Sequence, residues 1–131
     1  MKKSLILLGL FIAPLLVAAQ GVDFVYPKDG DTVEPTFWAK FSVSGLELAP
    51  ATEVRPGTGH HHLFINAVDI EKNVVIPFDN QHKHYGKGQS EAEIFLQPGK
   101  YKLTLQFGDS AHRSYGAAFR KTISINVVGK P

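Results

Sequence analysis

Apolar and polar residues alternate along most of this chain with the period of two that marks a half-buried β-strand. The pattern is plainest where Tyr101, Leu103, Leu105 and Phe107 share one face and Lys102, Thr104 and Gln106 the other. It recurs in Phe37, Ala39, Phe41 and Val43, which leave Trp38 on the outer face, and in Ala92, Ile94 and Leu96 against Glu91, Glu93 and Phe95. Residues 121–127 alternate again and close the sheet. Residues 22–26 form a further short strand, ended by Pro27-Lys28-Asp29-Gly30, where Pro fixes φ and Gly accepts a positive one. Residues 68–70 and 74–76 read as short strands about the turn Glu71-Lys72-Asn73.

About seven such strands, Pro- and Gly-rich turns and no helical stripe predict an all-β domain, an antiparallel two-sheet sandwich of immunoglobulin-like type. Leu96-Gln97-Pro98-Gly99-Lys100-Tyr101 resembles the tyrosine corner of such sandwiches, in which the phenol bonds back to the preceding turn. Three loops remain, residues 44–59, 77–89 and 108–119, with Leu46 and Leu48 pinning the first to the core. Loops gather at the ends of a sandwich, so these three are expected to lie together.

The first 19 residues follow a different logic. Lys2 and Lys3 precede an apolar run over residues 5–17, and Val17-Ala18-Ala19 offers the small residues that a signal peptidase reads. The expectation is a cleaved secretory signal over 1–19, followed by one domain over 20–131 in the periplasm or outside the cell. The run is too short for a membrane span and is broken by Pro14. With Lys2 and Lys3 removed, 12 of the 14 basic residues face 12 acidic ones, and no basic run suits nucleic acid.

Cysteine is absent and the initiator is the only Met. An exported fold without disulfides must rest on its own core. Thiolate nucleophiles, Cys-ligated zinc and thioether ligands are excluded with them, so any metal would be held by nitrogen and oxygen.

The candidate chemistry is imidazole. All six histidines fall in three patches: Gly59-His60-His61-His62-Leu63, His82-Lys83-His84-Tyr85-Gly86-Lys87-Gly88, and Gly108-Asp109 with the following His112. On a strand His60 and His62 share a face, about 6.5–7 Å apart, close enough for two rings to converge on one ion. His61 would be buried with Leu63 and Ile65 while His60 and His62 look outward, although Phe64 lies on their side. His82 and His84 repeat the spacing, in a stretch whose glycines suggest a loop. Asp109 reads as a turn cap rather than a ligand. The blander reading of each patch is a hydrogen-bonded core imidazole, a Gly-rich turn and a solvated loop histidine. No nucleophile elbow and no phosphate loop is present, and no general base can be named.

Taken with Phe24-Val25-Tyr26-Pro27-Lys28-Asp29-Gly30 and Leu96-Gln97-Pro98-Gly99-Lys100, the order of these patches resembles the exported bacterial family known as domain of unknown function 4399. The resemblance implies a secreted or periplasmic β-domain with histidine and glycine patches as its hallmark; it implies no activity. The function expected is a module holding Zn(II) or Cu(II), with Ni(II) also compatible, through His60, His62, His82, His84 and His112, with affinity falling below about pH 6. The alternative is a non-catalytic interaction domain for a cell-envelope protein or a glycan, its histidines a metal-free network.

Overall fold

The structure, a computed structural model, describes residues 1–15 and 19–129. Residues 1–15 carry no secondary structure and are exposed. Val17 and Ala18 of the expected cleavage motif lie outside the described residues. Among the described residues no helix is long and apolar enough to cross a membrane.

Among the described residues the fold is all-β, with nine strands and a single 3-10 turn at Ala117–Phe119. In chain order the strands are β1 Gly21–Tyr26, β2 Thr32–Val33, β3 Thr36–Ser44, β4 Glu47–Leu48, β5 Thr58–Ile65, β6 His82–His84, β7 Glu91–Phe95, β8 Gly99–Gly108 and β9 Arg120–Val127. A three-stranded sheet runs β1-β3-β7; a larger sheet runs β2-β9-β8-β5-β4, with β6 also paired to β5. The long ladders are antiparallel, but β2 joins β9 and β4 joins β5 in parallel, two short pairings that a purely antiparallel expectation lacks.

The core lies between the sheets. Phe24, Phe37, Ala39, Phe41 and Ile94 come from the smaller one, Leu63, Leu103, Leu105, Phe107, Ile123, Ile125 and Val127 from the larger. These are the inward members of the alternating runs, while Trp38 is 53% exposed. Leu46 and Leu48 pack on this core as expected. The Tyr101 hydroxyl donates to the Gln97 carbonyl at 2.7 Å, so the corner closes as its sequence suggests.

One region departs from the alternating pattern. Residues 68–70 and 74–76 are not strands: beyond an isolated bridge from Val75 to Arg113, they form an irregular excursion. The reason is where its bonds go. Ile76 N–H donates to the His112 carbonyl, Asn73 N–H to that of Ser114, and Ser114 N–H to that of Val74, all near 2.8–2.9 Å. The excursion is therefore stitched to the 109–116 loop, and the two cover the outer face of the larger sheet. A small second core forms beneath them from Phe64, Ala67 and Ile76. Under the same cover Thr104 and Gln106 are buried rather than solvated.

Candidate metal centre

β5 is buried on both faces, every residue of it. His61 points with Leu63 into the main core, where its ring lies 5.3 Å from that of Phe41 and 5.1 Å from that of Phe107. His60 and His62 take the opposite face as expected. They are not solvated, however, because the covering loops leave them 0% and 2% exposed. Phe64, on the same face, is what anchors that cover.

β6 then brings a second pair of imidazoles alongside. Its register sets His84 opposite His62 and His82 opposite Phe64, so only His84 lands beside a histidine of β5. The sequence suggests a loop here; it is a strand because β5 offers an edge beyond its ladder with β8. His112 arrives from the 108–114 turn. Its backbone has φ of 61°, a left-handed conformation that costs a non-glycine residue about 1–2 kcal/mol. Asp109 holds that turn: its Oδ1 accepts from the N–H of Ala111 and of Arg113, both at 2.9 Å, the capping role expected of it.

The outcome is a knot of four rings. One nitrogen from each of His60, His62, His84 and His112 lies within 4.8 Å of all the others. The His60 Nε2 is 3.1 Å from His84 Nε2 and 3.1 Å from His112 Nδ1. His82 is elsewhere: its Nδ1 meets Asp79 Oδ1 at 2.6 Å, and its ring packs on Phe64 at 4.7 Å. Of the five histidines the spacing suggests as ligands, four converge and His82 does not.

Two further features were not legible as parts of the site. Phe78, itself 66% exposed, lays its ring against the two half-buried members, 5.0 Å from His84 and 5.2 Å from His112. Gly86 and Gly108 form the walls. A Cβ on Gly86 would fall on the His84 ring, within 2.6 Å of Nε2, and one on Gly108 would lie 2.8 Å from Cε1 of His62. Their proximity to the histidines in sequence was the only signal.

The electrostatics favour the neutral form of His60, His62 and His84. Burial, followed by the neighbouring rings of His84 and His112, pushes His60 down from 6.5 to about 4. Burial, then His60, His84 and His112, pushes His62 to about 2. Burial and then His112 lower His84 as well. Both ring nitrogens of His62 and Nδ1 of His60 are buried without a hydrogen-bond partner among the described residues. Neutral imidazoles presenting unprotonated nitrogens are the form that binds a transition metal.

A family model, Domain of unknown function (DUF4399), matches residues 39–128, a span that holds all six histidines. The chain belongs to that family. No curated protein matches it. Among solved structures, the X-ray structure of the endo-beta-1,4-mannanase from Thermotoga petrophila is similar to this DUF4399 chain with a TM-score of 0.51 at 14% identity. The match covers 87% of this chain and 21% of that one, so the chain spans about a fifth of the mannanase, and the likeness is one of fold.

Proposed function

We propose that this DUF4399 domain is an exported metal-binding module that holds one divalent transition-metal ion, Zn(II) or Cu(II), on His60, His62, His84 and His112. The reading takes the two sheets as an immunoglobulin-like sandwich, residues 1–19 as a cleaved signal, and the periplasm or the cell exterior as its place of work.

The observation that carries it is the pair of 3.1 Å contacts made by a single atom, Nε2 of His60. A neutral imidazole nitrogen has one in-plane site and is either a donor or an acceptor. One of the two contacts can be an N–H···N bond; both at once cannot. Convergence on a shared ion accounts for both, because a tetrahedral centre with bonds of about 2.0–2.1 Å sets its nitrogens about 3.3 Å apart. The group contains imidazoles only, which suits Zn and Cu and disfavours Mg and Ca. The metal-free network is the weaker reading, since it leaves His62 buried with neither nitrogen bonded among the described residues.

Calorimetric titration of the full chain with Zn(II) and with Cu(II) tests the proposal. One ion per chain is expected, with His112→Ala weakening binding by at least about 100-fold, since losing a group that merely orients a ligand already costs about 10–100-fold. Equal binding by the variant would remove the site.

A further inference from the structure

β7 ends the smaller sheet, and its outer edge is open. In the β3–β7 ladder the Phe41 N–H donates to the Ser90 carbonyl and the Leu96 N–H to that of Pro35. With the register Trp38↔Glu93, that phase turns the backbone groups of Ala92 and Ile94 toward β3 and those of Glu91, Glu93 and Phe95 outward. Among the described residues no backbone hydrogen bond reaches these three from the open side. Beside the edge runs a groove of about 430 Å³ lined by Lys83, His84 and Tyr85 from one sheet and Glu93, Ile94 and Phe95 from the other.

We infer that this edge receives an extended basic peptide, which adds to β7 as a further strand. The free N–H and C=O groups supply the ladder, the usual basis of strand addition. Glu91 and Glu93 are exposed on one face, so peptide residues opposite them carry Lys or Arg, whose long side chains pass over Glu93 toward the exposed ring of Trp38. The alternate residues point into the groove, where Ile94 is buried and Tyr85 half-buried, and where Lys83 disfavours positive charge; they are apolar. A second copy of this chain is the wrong occupant. Antiparallel pairing of two β7 strands about Glu93 or about Ala92 sets glutamates opposite one another, and like charges directly opposite destabilise a ladder. The groove also borders His84, but the inference stands without any metal.

Fluorescence anisotropy with nine-residue peptides is the test, using the full chain and labelled peptides of alternating Lys and Val, or alternating Glu and Val. The Lys peptide should bind at least tenfold tighter, a Glu91→Lys/Glu93→Lys variant should reverse the preference, and amide exchange should slow at Glu91, Glu93 and Phe95 when the Lys peptide is bound. The inference is overturned if the two peptides bind alike or not at all, if the variant keeps the original preference, or if those amides become protected with protein concentration alone, which would mean that a second copy takes the edge.

Discussion

His61 shows how much a single residue's neighbours decide. It sits between His60 and His62 in sequence, yet it faces the other side of β5, in the apolar core, with neither ring nitrogen bonded among the described residues. Burial and then His60 push it down to about 4, so it is carried as a neutral, unsatisfied group. An unpaired buried polar group costs about 1–3 kcal/mol. His61→Leu should therefore raise stability by about 1–2 kcal/mol in a denaturant melt and leave metal binding unchanged; a destabilised variant would mean that the ring has a partner in solution. Gly86 makes the complementary case. Its φ lies outside the left-handed region, so alanine is allowed by the backbone, and the nearest atoms its Cβ would meet are those of the His84 ring. Gly86→Ala should keep the melting temperature of the metal-free chain and weaken Zn(II) binding tenfold or more in a titration. At this scale the triplet, His84, His112 and the capping role of Asp109 were legible because imidazole clusters and Gly-Asp turns announce themselves. His82 was misplaced, because co-facial spacing with His84 says nothing about which residue of β5 each would oppose.

Elements were legible where one face is buried and the other wet. β3, β7 and the inward face of β8 follow their alternation, and the tyrosine corner fixes the start of β8. The pattern fails where a loop covers the second face, since a buried outer face has no polar alternation to show. Gln106 is the instructive instance. Written as a solvent-facing residue of β8, it is buried, and its Nε2 reaches the carbonyls of Phe107, Gly116 and Phe119 at 3.1–3.2 Å while its Oε1 accepts from Arg120 at 2.8 Å. It thus ties β8 to the 3-10 turn and to β9. Gln106→Leu should cost about 1–3 kcal/mol in an equilibrium melt, because it takes the amide partner from the Phe119 carbonyl and from the Arg120 Nε–H, whereas the Phe107 and Gly116 carbonyls keep the N–H groups of Tyr115 and Phe119; a loss below 0.5 kcal/mol, a figure about the size of an ordinary surface change, would show that water replaces the amide. The two-residue parallel strands β2 and β4 carry no period at all, and only the assembled sheet defines them.

For the molecule as a whole, the histidines make stability a function of pH and of metal. His60, His61 and His62 take up protons from about 6.5 downward in the unfolded chain, and only near 4, 4 and 2 in the folded one. Between those limits the unfolded state binds more protons, so stability is full above pH 6.5 and falls as the pH drops, by up to about 1.4 kcal/mol per pH unit for each ring. The metal-free chain should melt at constant temperature from pH 8 to 6.5 and progressively lower toward pH 4; a flat profile through that window would mean that the rings are solvated. The same depressed values carry metal binding below the pH 6 limit that ordinary imidazoles would set at His60 and His62. A bound ion at 100 times its dissociation constant adds about 2.7 kcal/mol, so the melt should rise by about 10 °C. That four rings from three segments meet was not readable from spacing; it depends on β6 pairing with β5 and on the 109–116 loop folding over both. X-ray absorption on the Zn(II)-loaded full chain addresses that convergence most directly. Four nitrogen neighbours at about 2.0–2.1 Å with the outer-shell signature of imidazole are expected, whereas an oxygen-dominated shell, or no zinc retained after dialysis, would contradict it.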